Sequence, residues 1–315
     1  MSAQSSHRTA TRDRLLPSRR RRRTTAPRRR DGRLAFWLVI PSLAVLTAVI
    51  GYPIVQGVGR SLFDDSVSES LRFVGGDNYA QALWGANRAE FWAAFRVTWF
   101  FTITTVVLET LIGLAMALFM NQAFRGRGLM RASVLVPWAI PTAVAAVLWR
   151  WAFDPRGIIN ALFGTSITWT GSEWPSKVAI VFADTWKTAP FVALLILAGL
   201  QIIPGEVFEA AAMDGAGPVK RFLHITLPLV RPSLLVAVLF RMLDALRMYD
   251  LPAIFTNGAN DTTTLSILVV RASLGNLQAG YGGALSTLTF LIIFAAAFLF
   301  VKLLGANVVN RDTEV

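Results

Sequence analysis

Between residues 184 and 250 this chain sets acids and bases at helical spacing inside otherwise apolar sequence. Asp184 and Lys187 stand three residues apart, and Arg241, Asp244, Arg247 and Asp250 follow one another in steps of three. Residues three apart on a helix are neighbours and can pair. Each step turns the helix by about 300°, so Arg241 and Asp250 stand about half a turn apart and the set winds round the helix. Such groups can serve two ends. They can neutralise one another and hold helices together, or they can hydrogen-bond a hydroxyl-rich solute, with Trp186 and Tyr249 offering flat faces to sugar rings. Glu109, alone in its stretch, reads as a structural partner for a basic group or a helix end. Arg96 and Arg150 lie near the ends of apolar stretches and read as side chains that snorkel outward.

Bond-breaking chemistry has little to work with. The chain has no cysteine, which excludes disulfides, thiol catalysis and thiolate metal sites. Its two histidines, His7 and His224, are far apart in sequence, so a histidine-based metal centre is not expected. Neither the phosphate-cradling G-x-x-x-x-G-K-[ST] pattern nor G-x-S-x-G is present. We expect no catalytic residue, no metal site and no cofactor in this chain; ATP, if used, must be bound by another subunit.

The elements that position these residues are read from composition. Hydrophobic residues make up 54% of the chain and charged residues 16%, far from a soluble average. Leu34 to Gly59, Ala132 to Trp149 and Ala272 to Val301 are uncharged, and Val97 to Phe124 carries only Glu109. A span needs roughly 20 mostly apolar residues. The expectation is therefore an all-α membrane protein with six transmembrane helices, at about 34–57, 96–120, 132–152, 177–202, 232–255 and 284–304. Gly51-Tyr-Pro53 is expected to kink the first, and Phe73 to Tyr79 to form a turn and a short interfacial helix.

The net charge of +12 suggests a nucleic-acid partner at first, but its distribution argues otherwise. Residues 1–33 hold twelve Arg and two Asp, leaving only +2 for the rest of the chain. This tail is rich in Ser, Thr and Pro and reads as disordered, an orientation signal and an anchor to anionic lipid. A scaffold acting through the tail is a different class of reading; no nucleic-acid partner is expected. Six spans from an inside N-terminus place both termini, including the C-terminal tail 306–315, and the 203–231 loop in the cytoplasm. The inner segments then hold twenty Lys and Arg, against about six outside.

The 203–231 loop has a shape of its own. Pro204 suits a helix start, and Glu206 and Glu209 favour its first turns. Ala210, Ala211 and Ala212 form helix with almost no side-chain bulk. Gly215 can take the left-handed conformation that stops a helix. Pro218 starts a second short helix, which Pro228 is expected to end. The loop is either an interfacial helix covering the bundle end or a small-faced helix that fits a groove on another protein.

The same stretch resembles the EAA loop of ATP-binding-cassette (ABC) importer permeases at Glu209, Ala210, Ala211, Asp214, Gly215, Ala216, Phe222, Ile225, Leu227, Pro228 and Pro232. The likeness extends to Gly51-Tyr-Pro-Ile54, Gly75-Gly-Asp-Asn-Tyr79, Leu135-Val-Pro137, Trp186-Lys-Thr-Ala-Pro190 and Phe240-Arg-Met-Leu-Asp244, the pattern of the carbohydrate-uptake branch, over residues 33–305. Within it the chain is most similar to the first permease subunit of trehalose and α-glucoside importers. The resemblance implies a non-catalytic subunit of the bacterial inner membrane, paired with a second permease. Its further partners would be a cytoplasmic ABC ATPase dimer that binds ATP and Mg, an external solute-binding lipoprotein, and a sugar, such as a disaccharide. Glycerol phosphate or a polyol is the alternative solute. The resemblance also implies that Glu209 to Ala216, with Ala212 and Met213, and Phe222 dock on the ATPase.

Overall fold

The computed structural model describes residues 29–64 and 72–305. The arginine-rich tail to residue 28 and the C-terminal tail from 306 lie outside the described residues. Residues 29–33, expected in the tail, instead belong to the helix α1 (Arg29–Leu46). Helix propagates readily backward from an apolar run once nucleated, and Gly32 alone does not stop it.

The chain divides into a unit ending at Pro53 and a unit from Ile54 onward. In the first, α1 gives way to a π-turn at Thr47–Gly51 just before the boundary helix α2 (Tyr52–Arg60). The expected kink at Gly51-Tyr-Pro53 is this wide turn. Pro53 has no N–H to give to the turn below, and the π-turn resets the hydrogen-bond ladder there.

The second unit opens with a short antiparallel pair, β1 (Phe63–Asp64) on β2 (Arg72–Phe73), in register Phe63 to Phe73. The expected turn and interfacial helix follow as α3 (Asp77–Leu83). Then come α4 (Arg88–Asn121), α5 (Arg127–Ala139), α6 (Thr142–Ala152), α7 (Ile158–Phe163) and α8 (Glu173–Leu200). After the loop helices α9 (Gly205–Met213) and α10 (Pro218–Arg221) come α11 (Leu227–Ala245), α12 (Asp250–Thr256), α13 (Leu265–Val270) and α14 (Ala279–Phe300). Among the described residues five helices are long and apolar enough to cross a membrane, and six when the bent pair α5 and α6 counts as one.

Three expectations change. The third span is not straight: α5 and α6 meet at 90°. Pro141 lacks an N–H and pushes Ile140 to an extended backbone (ψ 132°), so the helix ends ahead of it. Pro228 does not end the second loop helix. A π-turn at Phe222–Thr226 carries α10 into α11, and Pro228 follows directly behind that wide turn, where the hydrogen-bond ladder is already reset. The fifth span ends at Ala245, not 255, and runs back to Pro218. Pro252 cannot donate to the Met248 carbonyl, and the Thr264 hydroxyl donates to that carbonyl instead at 2.8 Å. The chain turns at Leu246–Tyr249 and restarts as α12.

The core is built around α8. Of its most apolar window 72% is buried, against 28% for α4 and 17% for the Pro218–Ala245 and Ala279–Leu304 spans, so α8 is the central post. Gly113 lets α4 lie against it. A Cβ there would stand 2.8 Å from Val192 Cγ1 and 3.1 Å from the Ala193 backbone nitrogen. Gly113→Ala is expected to force the helices apart at a cost of about 1–3 kcal/mol, read as a lower melting temperature in detergent; an unchanged midpoint would show the contact can yield.

Two apolar clusters are threaded along this post. One holds Val97, Phe101, Ile180, Ala183, Met248 and Phe255; the other holds Ala117, Met120, Val192, Ile196, Val230 and Ala237. On α4, α8 and α11 the residues Glu109, Asp184, Lys187, Arg241 and Asp244 fall between the two clusters.

Candidate functional site

The polar layer is organised by one side chain. Arg241, 2% exposed on α11, reaches Glu109 of α4 through Nε, Asp184 of α8 through Nη2, and Asp244 through Nη1 at 2.8 Å. Thr105 faces Nη2 at 3.5 Å. The Thr188 hydroxyl lies within hydrogen-bonding reach of the other oxygen of Glu109 and of the Asp184 carbonyl on its own helix, the latter at 2.7 Å. A buried charge must be paired and hydrogen-bonded to be tolerated, and the planar guanidinium with its five donors can serve three carboxylates at once. Glu109 is thus the partner of a basic group, as its isolation implied. Asp184, by contrast, does not pair with Lys187 on its own helix; the guanidinium arriving from α11 takes it. Arg150 also has a partner: Nη1 donates to the Ile254 carbonyl at 2.8 Å, tying α6 to the end of α12.

Beside this cluster lies a small polar cavity of about 140 Å³, lined by Asp184, Lys187, Arg241, Asp244, Arg247, Tyr249 and Asp250, with Thr142 and Thr188. Seven of the eight residues singled out for binding chemistry therefore meet in one place. They do so because the chain breaks at Leu246–Tyr249. A continuous helix would wind Arg247 and Asp250 away from Arg241, and the turn folds them back. Arg247 is oriented by its own Nε, which donates to the Leu243 carbonyl at 3.2 Å. Lys187 is 8% exposed and lines the cavity without an ion pair among the described residues, while the Asp244 side chain is 67% exposed. The cavity thus presents carboxylate acceptors, ammonium and guanidinium donors, two threonine hydroxyls and a phenol. That is chemistry for hydrogen-bonding a polyhydroxylated solute.

Trp186 is the exception. It turns into an apolar groove of about 770 Å³ on the other side of α8, with Phe100, Phe182 and Pro190, and stands edge-on to Trp149 with ring centres 5.3 Å apart. Thr105, Thr142 and Thr188 were missed at the sequence level. Their type and apolar setting carry no signal until the helices are packed.

The loop helix α9 is exposed along Glu209, Ala210, Ala212, Met213, Asp214 and Gly215; Ala211 alone in that run is buried. Gly215 has φ 74°, and its N–H donates to the Ala212 carbonyl at 3.0 Å, while the Ala216 N–H reaches the Ala211 carbonyl at 2.9 Å. This paired closure is the Schellman stop, and it requires the left-handed residue that glycine supplies. Phe222, half-buried, begins the π-turn that leads back into α11. Met213 is 89% exposed at the helix end. The helix therefore offers a small, smooth, unpaired face.

Apolar spans, a buried ion cluster feeding a polar cavity and a free loop helix define a transmembrane permease. The chain belongs to the family of binding-protein-dependent transport system inner membrane components, which matches residues 109–311. It is 39% identical to the trehalose/maltose transport system permease protein of Thermococcus litoralis over 87% of this chain and 94% of that protein. It is 37% identical to the trehalose transport system permease protein of Mycobacterium tuberculosis over 90% and 92%. In fold it is similar to a chain of the bacterial alginate ABC transporter solved with its pentasaccharide-bound periplasmic protein, with TM-score 0.75 at 17% identity over 87% and 94%. The chain is a multi-pass, non-catalytic permease subunit of a sugar-type ABC importer.

Proposed function

We propose that this permease carries a sugar, such as trehalose or another α-glucoside disaccharide, across a bacterial inner membrane, with both termini in the cytoplasm. It pairs with a second permease, receives the sugar from an external binding protein, and is driven by a cytoplasmic ATPase dimer that docks on α9. The observation that carries the substrate reading is the meeting of Asp184, Lys187, Arg241, Asp244, Arg247, Tyr249 and Asp250 at one cavity between two apolar layers. Ionisable groups inside spans mark solute pathways. The cavity bears opposite charges in near balance, which favours a neutral polyol-like solute over a phosphate ester. The names of the two relatives point to the same class of sugar.

Asp244 is the residue to test, because its carboxylate is open to the cavity and Arg241 keeps Glu109 and Asp184 without it. Asp244→Asn is expected to lower trehalose uptake by the complete transporter in proteoliposomes about tenfold, the value of one charged hydrogen bond of roughly 1.5 kcal/mol. Assembly, followed by gel filtration, should be unchanged. Uptake at the wild-type rate would remove Asp244 from the path.

A further inference from the structure

A second polar cavity, of about 230 Å³, lies far along the chain from the first, at the ends of α4 and α14 opposite the loop helix. Asn87, Glu90, Arg271, Asn276, Gln278 and Tyr281 line it, with Leu268 as apolar floor. Three independent features set it apart from an ordinary surface dent. Tyr281 is only 8% exposed, and its hydroxyl, near Asn87, makes no well-formed hydrogen bond. A buried hydroxyl normally finds a partner, so a group aimed into a cavity without one is poised for a ligand. Next, Leu277 holds φ 55° while 75% exposed at the rim. A leucine gains nothing locally from that conformation, and such strain persists where the surroundings enforce it. Here they do: the Asn276 N–H donates to the Arg271 carbonyl at 2.8 Å and the Gln278 N–H to the Ala272 carbonyl at 3.0 Å, which sets the two flanking amide side chains at the rim. Finally, the Arg271 guanidinium is fixed by Glu90 at 3.4 Å and by the Asn257 carbonyl at 3.2 Å.

We propose that this cavity is a saccharide subsite, in which a single pyranose ring of the transported sugar binds before it reaches the central cavity. Side-chain amides, a carboxylate and a guanidinium are the groups that bracket neighbouring sugar hydroxyls, since each offers two donors, two acceptors or one of each in a fixed plane. The volume sits below the ~300 Å³ of a site for a larger ligand, which suits one ring and not two. In the proposed topology the cavity opens outward, on the side where the sugar arrives. The subsite rests on the sugar reading above and adds a first station to it.

The complete transporter, solubilised without its binding protein, is titrated with radiolabelled trehalose at equilibrium. The expected isotherm has two sites per copy of this chain. Tyr281→Phe, Asn276→Ala and Gln278→Ala each weaken one site about fivefold to tenfold and leave the other, which Asp244→Asn weakens in turn. Asn276 is exposed and Tyr281→Phe removes one atom, so both variants are expected to fold. A single site that responds only to Asp244→Asn overturns the subsite while the transport reading stands. Loss of affinity for the binding protein with trehalose affinity unchanged would make the cavity a protein contact and also overturn it. No binding at either site would sink both.

Discussion

Replacing Arg241 with methionine is expected to abolish sugar uptake and to cost the folded permease about 3–5 kcal/mol, because it strands Glu109 and Asp184 as buried charges without a counter-ion. The effect is asymmetric. Glu109→Gln keeps the shape and a hydrogen-bonding group, and Arg241 retains Asp184 and Asp244, so that variant should assemble and transport with a loss of less than about tenfold. Arg241→Lys should behave like the methionine variant in transport, since an ammonium is a point charge and cannot address three carboxylates on three sides. Joint replacement of Glu109, Asp184 and Arg241 by neutral residues should recover much of the stability and none of the transport. Thermal melting in detergent and uptake in proteoliposomes separate the two. A stable, active Arg241→Met permease would show that the layer is neither an anchor nor part of the path.

The second large effect is expected at Gly215. Gly215→Pro removes the N–H that closes on Ala212 and forces φ toward −65°, against the 74° that the turn needs, a cost of about 3 kcal/mol or more. The end of α9 then loses its fixed exit. Trehalose uptake should fall by at least about tenfold while ATP hydrolysis continues and the protein still inserts, the signature of uncoupling. Gly215→Ala is the graded control: no atom lies within 4 Å of its added Cβ, so it carries only the left-handed strain of about 1–2 kcal/mol. Glu209→Lys should uncouple without changing the fold, since Glu209 is exposed and the substitution reverses only the charge of the proposed docking face. Wild-type uptake in both Gly215→Pro and Glu209→Lys would refute ATPase docking at α9.

Much of this was legible from the residues. Long apolar runs give the spans because length and composition alone decide whether a helix can cross a bilayer. Gly215 could be assigned its turn because few residues adopt that backbone. What escaped reading was choice among partners. Asp184 has Lys187 one turn away, and only the packing of α11 against α8 reveals that Arg241 arrives first. Proline was read with uneven success for a related reason. Pro141 breaks its span, whereas Pro228 sits comfortably behind a π-turn, and nothing local to either residue distinguishes them. The turn after α11 is tied down by Thr264, sixteen residues beyond the Met248 carbonyl that it satisfies. Tyr281 gave no signal at all, because how well a buried hydroxyl is hydrogen-bonded is a property of the surroundings.

The layered core also limits how the molecule can move. Slide α11 along α8 by one turn in either direction and Arg241, with Asp244 beside it, leaves Glu109 and Asp184 behind and drives toward an apolar cluster. The ion layer therefore acts as a key in a slot, and α4, α8 and α11 must travel as one block. Any opening and closing then falls to the joints at its edges: the right-angled elbow at Ile140–Pro141 and the turn at Leu246–Tyr249, which carries Tyr249 and Asp250 on its far side. Under the proposed docking at α9, the centre transmits and the elbows yield.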